Sequence, residues 1–479
     1  MVFSSPTFLY AFLPLFIVVY FARRSIAWRN AILLAFSLLF YAWGETVFVL
    51  LLLASIAFNW AVALAIDKAD LVNRKPILIL GICLNLVVLG VAKYADFIVL
   101  TVNAIYPAAG FPQLNLPLPL GISFFTFHAI SYLFDVYRRN ARAEESLMRV
   151  AVYIAMFPQL VAGPIVRFST VARQLRQRST TVWRAATGMR IFAIGLTQKV
   201  LIANEVGIAA DVAFALGPDL DASEAWIGLA SYTLQIYYDF AGYSNMAIGL
   251  GFLIGFGFPR NFDLPYTSRS VTEFWRRWHM SLSRWFRDYL YIQLGGNRHG
   301  PARTYFNLTI VFLLCGLWHG ASWNFVIWGV WHGGLLVVER AFLGSVLERT
   351  HAVLRRVYLM LAVMLGWVWF RAETFTEAGS YFRSLVGMSG DGVVDSDFAS
   401  VFTPYWLIVF TAGCLLALFR MPQFQRRRIA QTEISVPAGR PYGALAVRLG
   451  ADIGIWLLLL MSLIALAGAT NNPFLYFRF

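Results

Sequence analysis

The chain has 479 residues, 59% of them apolar and only 13% charged, with a mean hydropathy of +0.65. Soluble domains run near a quarter charged, so this much apolar surface has no place inside one aqueous core, and the repeated long apolar runs point to membrane-spanning helices. Disorder, a collagen-like repeat and a disulfide scaffold are excluded, and the formal charge of +14 reads as basic cytoplasmic loops rather than as a nucleic-acid surface.

The first run, Met1 to Phe21, has its arginines (Arg23, Arg24 and Arg29) after it rather than before it. A cleaved signal has the opposite order, so this run reads as a first span with its N-terminus outside. Further apolar runs lie near 30–46, 48–66, 77–100, 120–137, 187–212, 226–256, 304–318, 324–339, 357–370, 404–419 and 449–469. Each approaches the ~20 residues needed to cross the hydrocarbon. Loops rich in Arg and Lys, such as Arg167–Arg190 and Arg260–Arg303, alternate with loops that carry only acidic charge, such as Asp211–Glu224 and Gly387–Ser400. The alternation predicts about twelve crossings with both termini extracytoplasmic. Cys83, Cys315 and Cys414 fall within apolar stretches and read as packing residues; no metal site is expected.

Val150–Ile165 breaks the alternation, because it lies between two basic loops and carries Pro158, Gly163 and Pro164. It reads as a re-entrant segment buried in protein, with a short interfacial helix as the alternative. In the 226–256 run Asp239 is the main intramembrane carboxylate, with Tyr237, Tyr238, Tyr243, Ser244 and Asn245 as nearby hydrogen-bonding partners.

From Thr272 to Ile292, Phe274, Trp278, Leu282, Trp285 and Tyr289 recur at helical spacing, while Arg276, Arg277 and Arg284 take another face. The pattern predicts one amphipathic helix in the cytoplasmic interface, its apolar side against lipid or protein. Its arginines either meet headgroups or hold a phosphate-bearing coenzyme. The turn that follows, Gln293–Gly300, adds Arg298. His279, beside Trp278, reads by itself as a hydrogen-bonded packing residue more readily than as a catalyst.

The hairpin 304–339 carries His319 at its turn, among Trp318, Gly320, Trp323 and Asn324. An ionisable group at membrane depth marks a candidate site, and a neutral imidazole there is able to take a proton from a hydroxyl. The alternative is a packing histidine bonded to a carbonyl. His332 has the weaker case. The last span, 449–469, leads to a tail ending NNPFLYFRF, expected outside, whose aromatic residues suit an interfacial belt and whose one hydroxyl is Tyr476.

Two stretches, FWRRWHMSLSRWFRDYLYIQLGGNRHG (Phe274–Gly300) and LWHGASWNFVIWG (Leu317–Gly329), resemble the membrane-bound O-acyltransferase family, in the bacterial branch that O-acetylates alginate and related exopolysaccharides. The FPQLVAGPIVR and IYYDFAGYSN segments look like the same branch. The resemblance implies an all-α polytopic protein of the bacterial inner membrane with no permanent cofactor and with acetyl-CoA as donor. It implies His319 as the catalytic histidine and His279 as the second signature position, assisting. Arg276, Arg277, Arg284 and Arg298 would lie near the coenzyme, and Trp318, Trp323 and Asn324 would line the site. A tunnel through the bundle and a periplasmic SGNH-type acetyltransferase as partner are implied too. The FLYFRF ending resembles a C-terminal motif of related acylation systems, which implies Tyr476 as a transient acyl carrier. Two other classes fit the polytopic pattern, a proton-coupled carrier or flippase for an acylated intermediate and a scaffold for polymer-modifying enzymes.

Overall fold

The computed structural model describes residues 1–389, 395–419, 442–468 and 474–475, and among them there is no β-strand. The chain opens with α1 (Leu13–Phe21), α2 (Ile26–Ala42), α3 (Phe48–Lys68) and α4 (Leu71–Ile105). Next come α5 (Ile122–Tyr137), the short α6 (Leu147–Ala155) and α7 (Phe157–Leu160), and α8 (Phe168–Arg176). The centre is built from α9 (Val182–Thr197), α10 (Asn204–Leu216) and α11 (Ala222–Leu253). Then follow α12 (Val271–Arg277), α13 (Met280–Phe286), α14 (Gly300–His319) and α15 (Trp323–Val338). The remainder is α16 (Gly344–Arg349), α17 (Ala352–Arg371), α18 (Phe375–Leu385), α19 (Ser396–Ser400), α20 (Pro404–Leu418) and α21 (Tyr442–Gly468).

Among the described residues six helical segments are long and apolar enough to cross a membrane by length and composition, including Phe48–Lys68, Leu71–Ile105 and Gly450–Gly468. Three further segments expected to cross, Phe8–Phe21, Ile26–Ala42 and Pro404–Leu418, are shorter. Of the last three, α5 and α11 bury much of their surface in protein rather than presenting it to lipid, while α14 keeps Phe306 and Leu314 exposed and buries the side that ends in His319. The outer faces of α3, α4 and α21 leave Leu50, Val87, Ile98 and Leu457 exposed, as a lipid-facing surface requires.

Helix α11 is the axis of the bundle. It lies so close to α9 that a Cβ on Gly188 or Gly195 would come within 2.5 Å of the backbone oxygens of Gly249 and Gly242. Small residues permit such close approach where no hydrophobic effect drives helices together. Between α9 and α10 the helix widens to a π turn, Gln198–Ala203, which carries Lys199 toward Asp239 near the middle of α11. Their ion pair is 2.5 Å long and both side chains are buried.

The 150–165 segment is buried from end to end and breaks between α6 and α7 at Met156 (φ −51°, ψ 114°), just before Pro158. Backbone freed by the break is satisfied by protein, as membrane depth demands: Phe157 N–H donates to Ser37 Oγ at 3.0 Å, and Gln159 Nε2 donates to Tyr153 C=O. Phe8, Phe12, Phe16 and Phe40 pack around Phe157. Further along the N-terminal end, Phe3 stacks on Tyr243 of α11 at 4.5 Å. Phe474, near the other end of the chain, also stacks on Tyr243 at 4.5 Å.

The single helix expected over 272–292 is not formed. The chain ends α12 at Arg277 and restarts as α13 at Met280, with His279 between them in the left-handed region (φ 41°, ψ 53°). Its aromatic side packs on protein: Phe274, Trp278, Leu282, Trp285 and Tyr289 are all buried.

Candidate active site

His319 is the last residue of α14. The helix stops there because Gly320 turns the chain into α15, and a Cβ at Gly320 would overlap the Phe325 ring at 2.0 Å. A Cβ on Gly316 would sit 2.2 Å from Phe325 O, and one on Gly329 2.4 Å from Phe312 O, so the two helices of the hairpin pack with backbone almost touching backbone. This fixes where the imidazole can reach. Its ring contacts Trp328 at 5.0 Å and Phe370 at 5.1 Å. All three line one cavity, together with Ile236, Asp239, Phe240, Trp278, Trp367 and Leu475.

The other end of that cavity wall leads to His279. Phe240 stands edge-on to the His279 ring at 4.7 Å and also faces the cavity. The two imidazoles are close enough to interact electrostatically. Asn261 orients His279: its Oδ1 accepts from Ser281 N–H (3.1 Å) and Ser281 Oγ (2.9 Å), and lies 3.1 Å from His279 Nδ1. An oxygen that already accepts two hydrogen bonds requires the proton on Nδ1, which leaves the Nε2 lone pair available. Nε2 has no hydrogen-bonding partner among the described residues. Ser281 Oγ in turn accepts from Ile165 N–H at 3.0 Å, so the broken 150–165 segment braces the same network.

Asp239 does not use the neighbouring hydroxyls expected of it. Its carboxylate takes the Lys199 ammonium and accepts from the backbone N–H of Leu475 at 2.9 Å. Residues 474–475 are thereby held against the cavity; Tyr476 lies outside the described residues.

The arginines do not form one row. Arg277 is held by Glu273 (2.6 Å) and by Thr267 Oγ1 (3.0 Å) at the end of α12, while Arg276 is exposed. Arg284 is on α13, past the break, and Arg298 is exposed on the turn, bonded to the carbonyls of Ile292 and Gly295. Nearby, Asp288 binds Arg167 at 2.5 Å and Arg287 at 2.6 Å. Burial works to raise the Asp288 pKa, but the Arg287 and Arg167 guanidiniums outweigh it and hold the carboxyl below its ordinary range.

Of the residues expected to line the site, Trp318 is buried beside His319 and packs on Phe124 and Phe127. Trp323 is not at the cavity: it is 47% exposed and bonds Thr101 of α4. Asn324 is buried but donates to Ala372 C=O at 2.7 Å, tying α15 to the end of α17. His332, one turn beyond Trp328, is enclosed by Trp275 and Trp328. Trp278, Ser281 and Trp328 fall inside the two quoted motifs but carry nothing that marks them as cavity or network residues, and Trp367, Phe370 and Asn261 lie outside those motifs. Asp239, an acid inside an apolar run, gave a signal.

Residues 119–376 match the membrane-bound O-acyltransferase family. The chain is similar along its whole length to the probable alginate O-acetylase AlgI of Azotobacter vinelandii, 41% identical with both chains fully covered. It is similar to the peptidoglycan O-acetyltransferase of Helicobacter pylori, 37% identical over 81% of this chain and 80% of that one. It is 28% identical to the teichoic acid D-alanyltransferase of Bacillus subtilis over 52% of this chain and 67% of that one. These matches set aside the carrier and scaffold readings. With a buried histidine at the wall of a cavity inside an all-helical membrane bundle, the chain belongs to the membrane-bound O-acyltransferase family and is a multi-pass membrane O-acyltransferase.

Proposed function

We propose that this chain takes an acetyl group from cytoplasmic acetyl-CoA and delivers it through the bundle for O-acetylation of an extracytoplasmic polysaccharide such as alginate, with His319 as general base. The observation that carries the reading is the position of His319 at the wall of a cavity that meets the middle of α11. The names of full-length relatives support an acetyl group and an alginate acceptor. In the transfer, His319 takes the proton of the acceptor hydroxyl as its oxygen attacks the acetyl carbonyl. The carbon–sulfur bond breaks, and the coenzyme thiolate leaves and is protonated. His279, with its proton held on Nδ1, presents Nε2 as an acceptor that steadies this exchange. The exposed Arg276 and Arg298 are the arginines available to the coenzyme phosphates, while Arg277 and Arg284 shape the site from α12 and α13.

The acyl group then leaves on the C-terminal tail. Tyr476 follows Leu475, which lines the cavity, so a hydroxyl one residue further on has a high effective concentration there. A periplasmic SGNH-type acetyltransferase would receive the group from the tyrosine ester.

His319→Ala is expected to lower polymer acetylation by about 10²–10⁴-fold at matched membrane expression. Near-normal acetylation in that variant would overturn the base assignment. Tyr476→Phe keeps the ring and removes only the hydroxyl; it is expected to abolish polymer acetylation and, with no hydroxyl left to receive the group, single-turnover loss of acetyl-CoA as well. Normal acetylation would remove the relay and leave an aromatic anchor.

A further inference from the structure

Lys93 is a cation on α4, a helix that packs one side on protein through Leu78, Gly81, Asn85 and Leu89 and leaves its outer side to lipid. Val87, Val91 and Ile98 of α4 are exposed, whereas the Lys93 side chain turns inward. Among the described residues it forms no ion pair. Its ammonium instead donates to the carbonyls of Trp318 (2.5 Å) and His319 (3.1 Å). The hydroxyl of the next residue, Tyr94, donates to Leu317 C=O at 2.8 Å. Those are the last three carbonyls of α14, which have no N–H partner further along their own helix. One dipeptide of α4 therefore satisfies the whole C-terminal edge of the helix that ends in His319, and puts a positive charge where the helix dipole is negative.

The grip continues along one face. Phe97 packs on Trp323 with ring centroids 5.6 Å apart, and Thr101 accepts from Trp323 Nε1 at 3.3 Å. Lys93, Phe97 and Thr101 recur every four residues, so a single stripe of α4 holds both sides of the α14–α15 turn. An ammonium at membrane depth is costly, and one paired only with backbone carbonyls has to be accounted for by what it holds in place. What it holds is the backbone of the proposed base.

We propose that Lys93, assisted by Tyr94, is a positioning residue for acyl transfer: it clamps the end of α14 so that the His319 ring meets the acceptor hydroxyl in the cavity. The proposal rests on His319 as the base. Misplacing a catalytic group by about 1 Å costs on the order of 10²-fold in rate, so the clamp acts on turnover and leaves donor binding alone.

The test uses the full chain in proteoliposomes, with alginate and a periplasmic SGNH-type acetyltransferase supplied on the far side as acceptors, and follows release of coenzyme thiol from acetyl-CoA, normalised to folded protein. Lys93→Met is expected to lower kcat by about tenfold or more with KM for acetyl-CoA within about twofold of the parent, and Lys93→Arg to recover most of the loss. Tyr94→Phe is expected to lower kcat by about threefold. The proposal is overturned if Lys93→Met keeps its kcat, if its loss follows KM, or if arginine gives no recovery. Should Lys93→Met fail to fold, Tyr94→Phe decides alone, since it removes one hydroxyl; an unchanged kcat overturns the clamp. His319→Ala measured alongside separates the two ideas: an active His319→Ala sinks the base assignment, whereas an active Lys93→Met beside an inactive His319→Ala sinks only the clamp.

Discussion

At the scale of single residues the site depends on a strained backbone. His279 holds a left-handed conformation that is costly for a residue with a Cβ, and it persists only where the surroundings fix it. The fixing is visible: Met280 N–H donates to Asn261 C=O at 2.8 Å, and Asp263 N–H donates to Arg277 C=O at 2.9 Å. With the Asn261 side chain on His279 Nδ1, this one asparagine sets both the backbone and the tautomer. Asn261→Ala is therefore expected to lower acetyl transfer about as far as His279→Ala, with the double variant no worse than either, as for residues acting as a unit. Rates of the three variants at matched folded amounts check this; additive losses would show independent roles. Neither the strain nor Asn261 is legible in the sequence, because nothing in FPRNFDLPY marks an asparagine that will fold back onto a histidine eighteen positions later.

At the scale of elements, hydrophobic spacing located the long apolar helices, left short ones such as α8 and α18 inside loops, and missed the break within 272–292. Phe274, Trp278, Leu282, Trp285 and Tyr289 keep helical spacing across a point where the helix is interrupted, since α12 and α13 both turn their aromatic side inward. Periodicity reports which side is buried, and it does not see a single left-handed residue between two helices. The same burial explains why α5 and α11 look like spans yet show lipid so little: a run of apolar residues is the same whether its neighbours are helices or hydrocarbon. After α13 the segment is fastened by Asp288 to Arg167 and Arg287, and by the Arg138 guanidinium to Asp288 C=O at 2.9 Å. Because the folded Asp288 pKa lies below its ordinary value, the stability it contributes is full above the ordinary carboxylate pKa of about 3.9 and is lost as pH falls through the folded value. Thermal unfolding in detergent should accordingly lose this contribution only at the acid end. Asp288→Asn should destabilise the protein at neutral pH and narrow its gap to the parent as pH falls.

At the scale of the whole molecule, basic side chains from distant turns gather in one place. The basic turns that bring Arg138, Arg167, Arg284 and Arg287 together form one surface, and a coenzyme with several phosphates is drawn to such a field. Sealed vesicles of opposite orientation provide the check: acetyl-CoA added outside should be consumed by inside-out vesicles and spared by right-side-out ones, and equal consumption would contradict the proposed direction. The membrane class and the helical fold were legible because apolar length and loop charge are local properties of a sequence; His319 stood out as an ionisable group inside an apolar hairpin, and His279 only through the motif that resembles the family. The cavity was not, because its walls come from α11, α12, α14, α15, α17 and residue 475, brought together only by packing. Phe3 and Phe474 sandwich Tyr243 from the two ends of the chain, and Leu475 beside them completes the cavity wall. Translation delivers Phe3 first and Leu475 after every helix described here. A ribosome-bound intermediate thus carries His319 and His279 long before the chamber around them has its last side. Until then the chamber lacks the wall that Leu475 supplies beside Asp239.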